Sequence, residues 1–203
     1  MSTVLAENPS YLAPEEYLAA EREAATRSEY FNGEVYAMAG ASREHNQITF
    51  NIAGGLHAQL RGRPCVAYVN DMRLKVSETG LYAYPDVMAL CGEPHFEDGA
   101  ADTLTNPSVI IEVLSESTER YDRGDKFAHY RRLASLRDYV LVSQRRPRLE
   151  HYTRRGEDWV LREIDGLDAV LRLPDIGCEL PLADIYDKLT FAVTAMLPAD
   201  HPA

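Results

Sequence analysis

The sequence predicts an α/β domain in which a mixed central sheet is flanked by helices and extended by β-hairpins. Three observations carry this prediction. The near-continuous apolar runs "SVIIEVLS" (108–115) and "DYVLVS" (138–143) have the pattern of strands covered on both faces. Between them, "YDRGDKFAHYRRLASL" (121–136) reads as a helix, and a strand–helix–strand unit places its two strands parallel in one sheet. Asn32-Gly33 in "SEYFNGEVYAMAG" and Gly156 in "RLEHYTRRGEDWVLREI" supply the turns of two hairpins.

The other elements follow in order. Residues 1–13 read as a loose lead-in, residues 14–190 as a single domain and residues 191–203 as a tail. Pro14 opens a helix, with Glu15 and Glu16 in the first turn, where acids suit the helix dipole. "REHNQITFNIAGGLHAQLRG" (43–62) is a second helix: Ile48, Ile52, Leu56 and Leu60 form one apolar stripe, and Ser42 is its N-cap. His45 continues that stripe at the helix entrance. "CVAYVNDMRLKV" (65–76) alternates as one half-buried strand, with Val66, Tyr68, Met72, Leu74 and Val76 on one face and Asp71 among the outward residues. "LYAYPDVMAL" (81–90) pairs antiparallel with it across Glu78-Thr79-Gly80. "LPDIGCELPLADIYDKL" closes the chain with a strand and a short helix.

Composition excludes several classes. A net charge of -11 argues against a generally basic nucleic-acid coat, and 45% hydrophobic residues suffice for one sizeable core. Cys65, Cys91 and Cys178 are odd in number and widely spaced with no CxxC, so neither a disulfide framework nor a zinc site is expected, and a reducing cytoplasm fits. No secretion signal and no membrane-length apolar run is read. GxxxxGK[ST], HExxH and GxSxG are absent. Charge is uneven: residues 123–155 carry ten Lys or Arg against three Asp or Glu. That segment is either a phosphate-contacting surface or a solvated helix face and hairpin.

Two acids stand where burial is expected. Asp86 follows Pro85 inside an apolar run, and Glu112 is the single charge in "SVIIEVLS". A buried carboxylate is costly unless paired, and two that converge repel. A divalent cation resolves both problems, and hard oxygen ligands suit Mg2+, with Mn2+ as a substitute. Asp122, Lys126 and Tyr130 recur at i, i+4 and i+8 on the next helix. Lys126 is therefore either an amine aimed at the metal or half of a surface pair with Asp122. Tyr130 packs against or bonds to an acid.

"YFNGEVYAMAGASREHNQI", "YPDVMAL" and "SVIIEVLSEST…DRGDKFAHYRRL…RDYVLV", in this order, resemble the Uma-type endonucleases of the PD-(D/E)xK nuclease superfamily, over residues 14–189. The resemblance implies a restriction-endonuclease-like fold. It makes Asp86 and Glu112 the metal-binding acids, adds the Val113 carbonyl as a metal contact, and gives Glu34 a second cation or a metal-bound water. It places His45 near a phosphate or the acids. The superfamily's lysine falls two residues after the second acid, where this chain has Leu114; Lys126 then supplies the amine from the helix.

The function expected is metal-dependent phosphodiester hydrolysis, with Asp86, Glu112 and Lys126 catalytic and DNA as the substrate. Arg131, Arg132 and Arg145 would hold the backbone, with His45 and Tyr130 beside the substrate. A non-catalytic nucleic-acid-binding or regulatory module on the same fold is the competing reading, and a purely structural subunit is weaker. A homodimer is expected.

Overall fold

The computed structural model describes residues 11–38 and 40–191; residues 1–10 of the expected lead-in and residues 192–203 of the expected tail lie outside it. The chain runs α1 (Pro14–Glu23), β1 (Ser28–Phe31), β2 (Glu34–Ala37), α2 (Arg43–Leu60), β3 (Cys65–Val69), β4 (Arg73–Val76), β5 (Leu81–Ala83), β6 (Val87–Cys91), β7 (Thr103–Leu104) and β8 (Val109–Leu114). A run of helical turns follows: α3 (Glu119–Tyr121), a π-helical turn over Asp122–Lys126, and α4 (Phe127–Tyr130). The chain then forms β9 (Asp138–Ser143), β10 (Arg148–Arg155), β11 (Asp158–Asp165), β12 (Val170–Leu173), β13 (Cys178–Pro181) and α5 (Leu182–Ile185).

The central sheet is mixed, in the order β11-β10-β9-β8-β6-β3. The β8 and β9 strands are parallel, as the strand–helix–strand unit predicts, and their neighbours are antiparallel. Period two splits β8 between two cores. Val109, Ile111 and Val113 meet the α2 stripe of Ile48, Ile52, Leu56 and Leu60 on one face, together with the β12–β13 hairpin and α5. Ile110 and Leu114 face the other core, with Tyr130, Leu133 and Leu136 after the helical turns. Glu112 shares that second parity, which turns it toward the helical turns.

A second sheet, in the order β2-β1-β5-β4-β7, closes that side. It changes two sequence expectations. Residues 65–76 do not form one strand, because the chain turns at Asn70 (φ 50°), leaving β3 in the central sheet and β4 in the second. Likewise 81–90 splits into β5 and β6 across Tyr84-Pro85-Asp86. Proline has no N–H to give a ladder, so the run ends one sheet there and begins the other. The predicted apolar face is nonetheless real: Leu74 and Val76 are buried in the second core, and Val66, Tyr68 and Met72 pack against it.

The hairpin turns form where predicted, with Asn32 and Gly33 at φ 50° and 86° and Gly156 at 62°. Ser42 caps α2 by accepting the His45 amide at 3.0 Å. The cysteine expectation is corrected: Cys65 and Cys91 face each other in the β3–β6 register and form a disulfide, which leaves Cys178 buried and free. Cysteine spacing along the chain carries no information about register, and here register brings the pair together. No helix among the described residues is long and apolar enough to cross a membrane.

Candidate active site

Asp86 sits where the chain crosses between sheets. The β6–β8 ladder ends at Val87 opposite Ile111, so the Val113 N–H has no strand partner on that side. The Asp86 carboxylate takes it instead: the Val113 amide donates to Oδ2 at 2.7 Å, and His45 Nε2 lies 2.7 Å from Oδ1. Pro85 thus ends one strand and sets the acid at the start of the next.

Gln144, which no motif or spacing singles out, orients His45. The Gln144 amide nitrogen donates to the Leu114 carbonyl at 2.8 Å and lies 3.4 Å from His45 Nδ1, while its oxygen accepts from Ser42 Oγ at 2.6 Å. With that amide donating, Nδ1 is an acceptor and Nε2–H points at Asp86.

Glu112 is 4% exposed in the middle of β8. Tyr130 donates its hydroxyl to Oε1 at 2.9 Å, and the Asp86 backbone N–H reaches Oε2 at 3.4 Å. Lys126 Nζ lies 3.0 Å from Glu112 Oε1, 3.0 Å from Glu29 Oε1 and 3.6 Å from Asp122 Oδ1. The π-helical turn explains this convergence. Its wider winding turns both ends, Asp122 and Lys126, into the protein, and the Asp122 carbonyl is satisfied by the Tyr139 hydroxyl at 2.9 Å. The Asp122–Lys126 pair is therefore buried, not a surface pair.

The charges do not balance. Glu29, Asp86, Glu112 and Asp122 share one lysine and one histidine. Burial pushes the Glu112 carboxyl up to about 8; Lys126 opposes the rise, and Asp122, Asp86 and Glu29 reinforce it. Asp122 is raised for the same first reason. Burial works against the charge on Lys126, but Glu112, Tyr130, Glu29 and Asp122 outweigh it and hold the ammonium well above its ordinary range.

The structure brings Asp86, Glu112, Lys126, His45, Val113 and Tyr130 together. Tyr130 is fully buried and makes the expected bond to an acid, Glu112, while it does not line the cavity, where a substrate contact would lie. Glu34 is not in the cluster: it is exposed on β2 and accepts the Tyr36 hydroxyl at 2.6 Å. Glu29, across the same hairpin, takes the inner place. A buried acid in "SEYF" is the same signal that marks Asp86, and it was legible. Arg131 and Arg132 are exposed away from the cavity, with the Arg131 carbonyl held by Arg154 at 2.6 Å. Arg145 lines a neighbouring groove, 3.7 Å from Glu116.

The acids and the ammonium line a cavity of about 940 Å³. The donor set suits a hard cation. Mg2+ uses one or two protein carboxylates and fills its other positions with water and substrate oxygens. Asp86 and Glu112 would supply the carboxylates, and the surplus of buried acid over cation would supply the charge. Among the described residues, no three His, Cys, Asp or Glu are spaced as a complete cage.

The mixed central sheet flanked by helices, with Asp86 just before β6 and Glu112 on neighbouring β8, has the architecture of the restriction-endonuclease-like class. Residues 14–183 match the family described as "Uma2: Putative restriction endonuclease", and the chain belongs to that family. Two proteins from Synechocystis sp. are similar to it and are described as uncharacterized. One, sll1609, is 42% identical over 159 residues, spanning 78% of this chain and 90% of its own. The other, slr1290, is 35% identical over 181 residues, spanning 89% and 94%. Among solved structures, a crystal structure described as "a putative nuclease belonging to DUF820" from Anabaena variabilis shares the fold, with a TM-score of 0.71, 18% identity, and coverage of 86% of this chain and 97% of that one.

Proposed function

We propose that this protein hydrolyses phosphodiester bonds in nucleic acid, as a metal-dependent DNA endonuclease. The observation that carries the reading is the meeting of Asp86, Glu112 and Lys126, from the β5–β6 crossing, a strand and a helical turn, at one cavity. Asp86 and Glu112 would hold Mg2+ or Mn2+, which when bound polarises a phosphoryl oxygen and acidifies water. The Val113 amide and His45 fix the Asp86 carboxylate. Lys126 keeps its proton, so it serves as a charge stabiliser and water-orienting donor, not as a base. Purified protein with Mg2+ is expected to cleave DNA, and Asp86→Ala to abolish cleavage. Cleavage that survives both Asp86→Ala and chelation would defeat the mechanism.

The second reading is a non-catalytic module on the same fold. Two observations favour it: the ammonium already sits among three acids, and no complete cage exists among the described residues. Calorimetry with Mg2+ separates the two, because absence of cation binding leaves only the module. Homodimerisation and cytoplasmic residence belong to the same proposal. The Cys65–Cys91 disulfide weighs against the cytoplasm, where thiols stay reduced. Alkylation of the thiols at the moment of extraction, followed by a thiol count, tests that point.

A further inference from the structure

Two grooves meet over the site, and their walls differ. The 940 Å³ cavity is floored by the acids and walled on one side by Phe31, Tyr36, Met38, Tyr121 and His129. The second, of about 640 Å³, opens toward the β9–β10 turn, where Arg145 and Arg146 are exposed. Gly40, Ser42 and Ser115 line both, so the two adjoin at these residues. Tyr36 and Met38, on the rim of the aromatic wall, are 50% and 43% exposed.

Resting on the nucleic-acid reading above, we propose that the substrate taken up here is a single, unstacked polynucleotide strand. One of its bases lies against the Tyr36 wall, its phosphate lies over Asp86 and Glu112, and its continuation runs past Ser42 and Ser115 to Arg145 and Arg146. Three features carry this. Glu112 and Lys126 line the cavity yet are only 4% and 6% exposed, so a phosphate that reaches them is more readily delivered by a flexible strand than by a stacked duplex. An aromatic wall binds a base only when its face is free, and such stacking tolerates any base. Duplex binding is carried by many phosphate contacts, whereas this protein has a net charge of -11 and, at the far end of a groove also lined by Glu44, Glu116, Glu119 and Glu150, exposes Arg145, which lies 3.7 Å from Glu116, and Arg146.

The test is fluorescence anisotropy of the full chain in Ca2+, with a labelled single-stranded oligodeoxynucleotide of about 12 nucleotides, its duplex, and the matching oligoribonucleotide. The single strand is expected to bind roughly tenfold more tightly than the duplex. Tyr36→Ala should weaken single-strand binding by about tenfold, and Tyr36→Phe should restore it. Arg145→Ala with Arg146→Ala should make the salt dependence shallower by about 0.7 per lost phosphate contact. The oligoribonucleotide shows whether the sugar matters to a strand recognised this way. Duplex binding equal to or tighter than single-strand binding, equal losses in Tyr36→Ala and Tyr36→Phe, or no binding to any strand overturns the proposal. Because binding is read without turnover, a protein that prefers single strands yet never cleaves them defeats hydrolysis and leaves this inference standing.

Discussion

Two charged networks lie in this protein, and they are built oppositely. Beside β4 and β7, Arg22 pairs with Asp98 at 2.7 Å and with Asp102 at 2.8 Å, and Arg73 reaches Asp102 at 3.5 Å. Two guanidiniums meet two acids there, and Arg22 holds Asp102 down to about 2. At the cavity, four acids meet one lysine and one histidine, and Glu112 rises to about 8. Matched charges hold surfaces together. Unmatched buried charges cost stability and persist where something else is to bind.

Substitutions can break or sharpen this contrast, and the largest effect belongs to Lys126. Lys126→Met leaves Glu29, Glu112 and Asp122 facing one another, and urea denaturation is expected to show a loss of about 3–5 kcal/mol. Adding Glu112→Gln to that variant removes one of the stranded carboxyls and should recover part of it; no recovery would mean that the network is not the cause. Next comes the cation. At about 100 times its Kd, Mg2+ should stabilise the wild type by about 2.7 kcal/mol and do nothing for Glu112→Gln. The same Glu112→Gln protein should lose hydrolysis while its metal-free melting temperature holds or rises, since it removes a buried carboxyl whose ionisation burial already opposes.

The matched network should respond least. Asp102→Asn is expected to cost about 1 kcal/mol or less near neutral pH, because the pair is partly solvated, and to leave hydrolysis intact. The folded state depresses this carboxyl, so its contribution is full above the ordinary value of 3.8 and fades as pH falls toward about 2. The difference between wild type and Asp102→Asn should therefore shrink over that window. A constant difference would assign the effect to packing.

Local signals in the sequence were reliable where local chemistry decides. Ser42 caps α2, Asn32-Gly33 and Gly156 turn their hairpins, β8 and β9 are buried as their apolar runs require, and the helical crossover between them makes them parallel. The division into two sheets was hidden. Val66, Tyr68, Met72, Leu74 and Val76 all reach the same core, so nothing in their alternation marks the change of sheet at Asn70. The acids Asp86 and Glu112 were legible as charges in apolar strands. Glu29 carries the same mark, whereas Glu34 is singled out by the resemblance alone; the β1–β2 register puts both on one face, and Glu34 stays exposed because β2 is the edge strand. The depth of Lys126 depends on a π-helical turn, which no regular helical spacing anticipates. Cys65 and Cys91 are paired by register alone.

Asp86 stands on the stretch of chain that leaves β5 and enters β6, while Glu112 belongs wholly to the central sheet. An ion gripped by both would rivet the two layers at their seam. Peeling them apart would then require breaking coordination as well as packing, so backbone amides in β5 and β6 should exchange with deuterium more slowly, and in step, once the ion is in place.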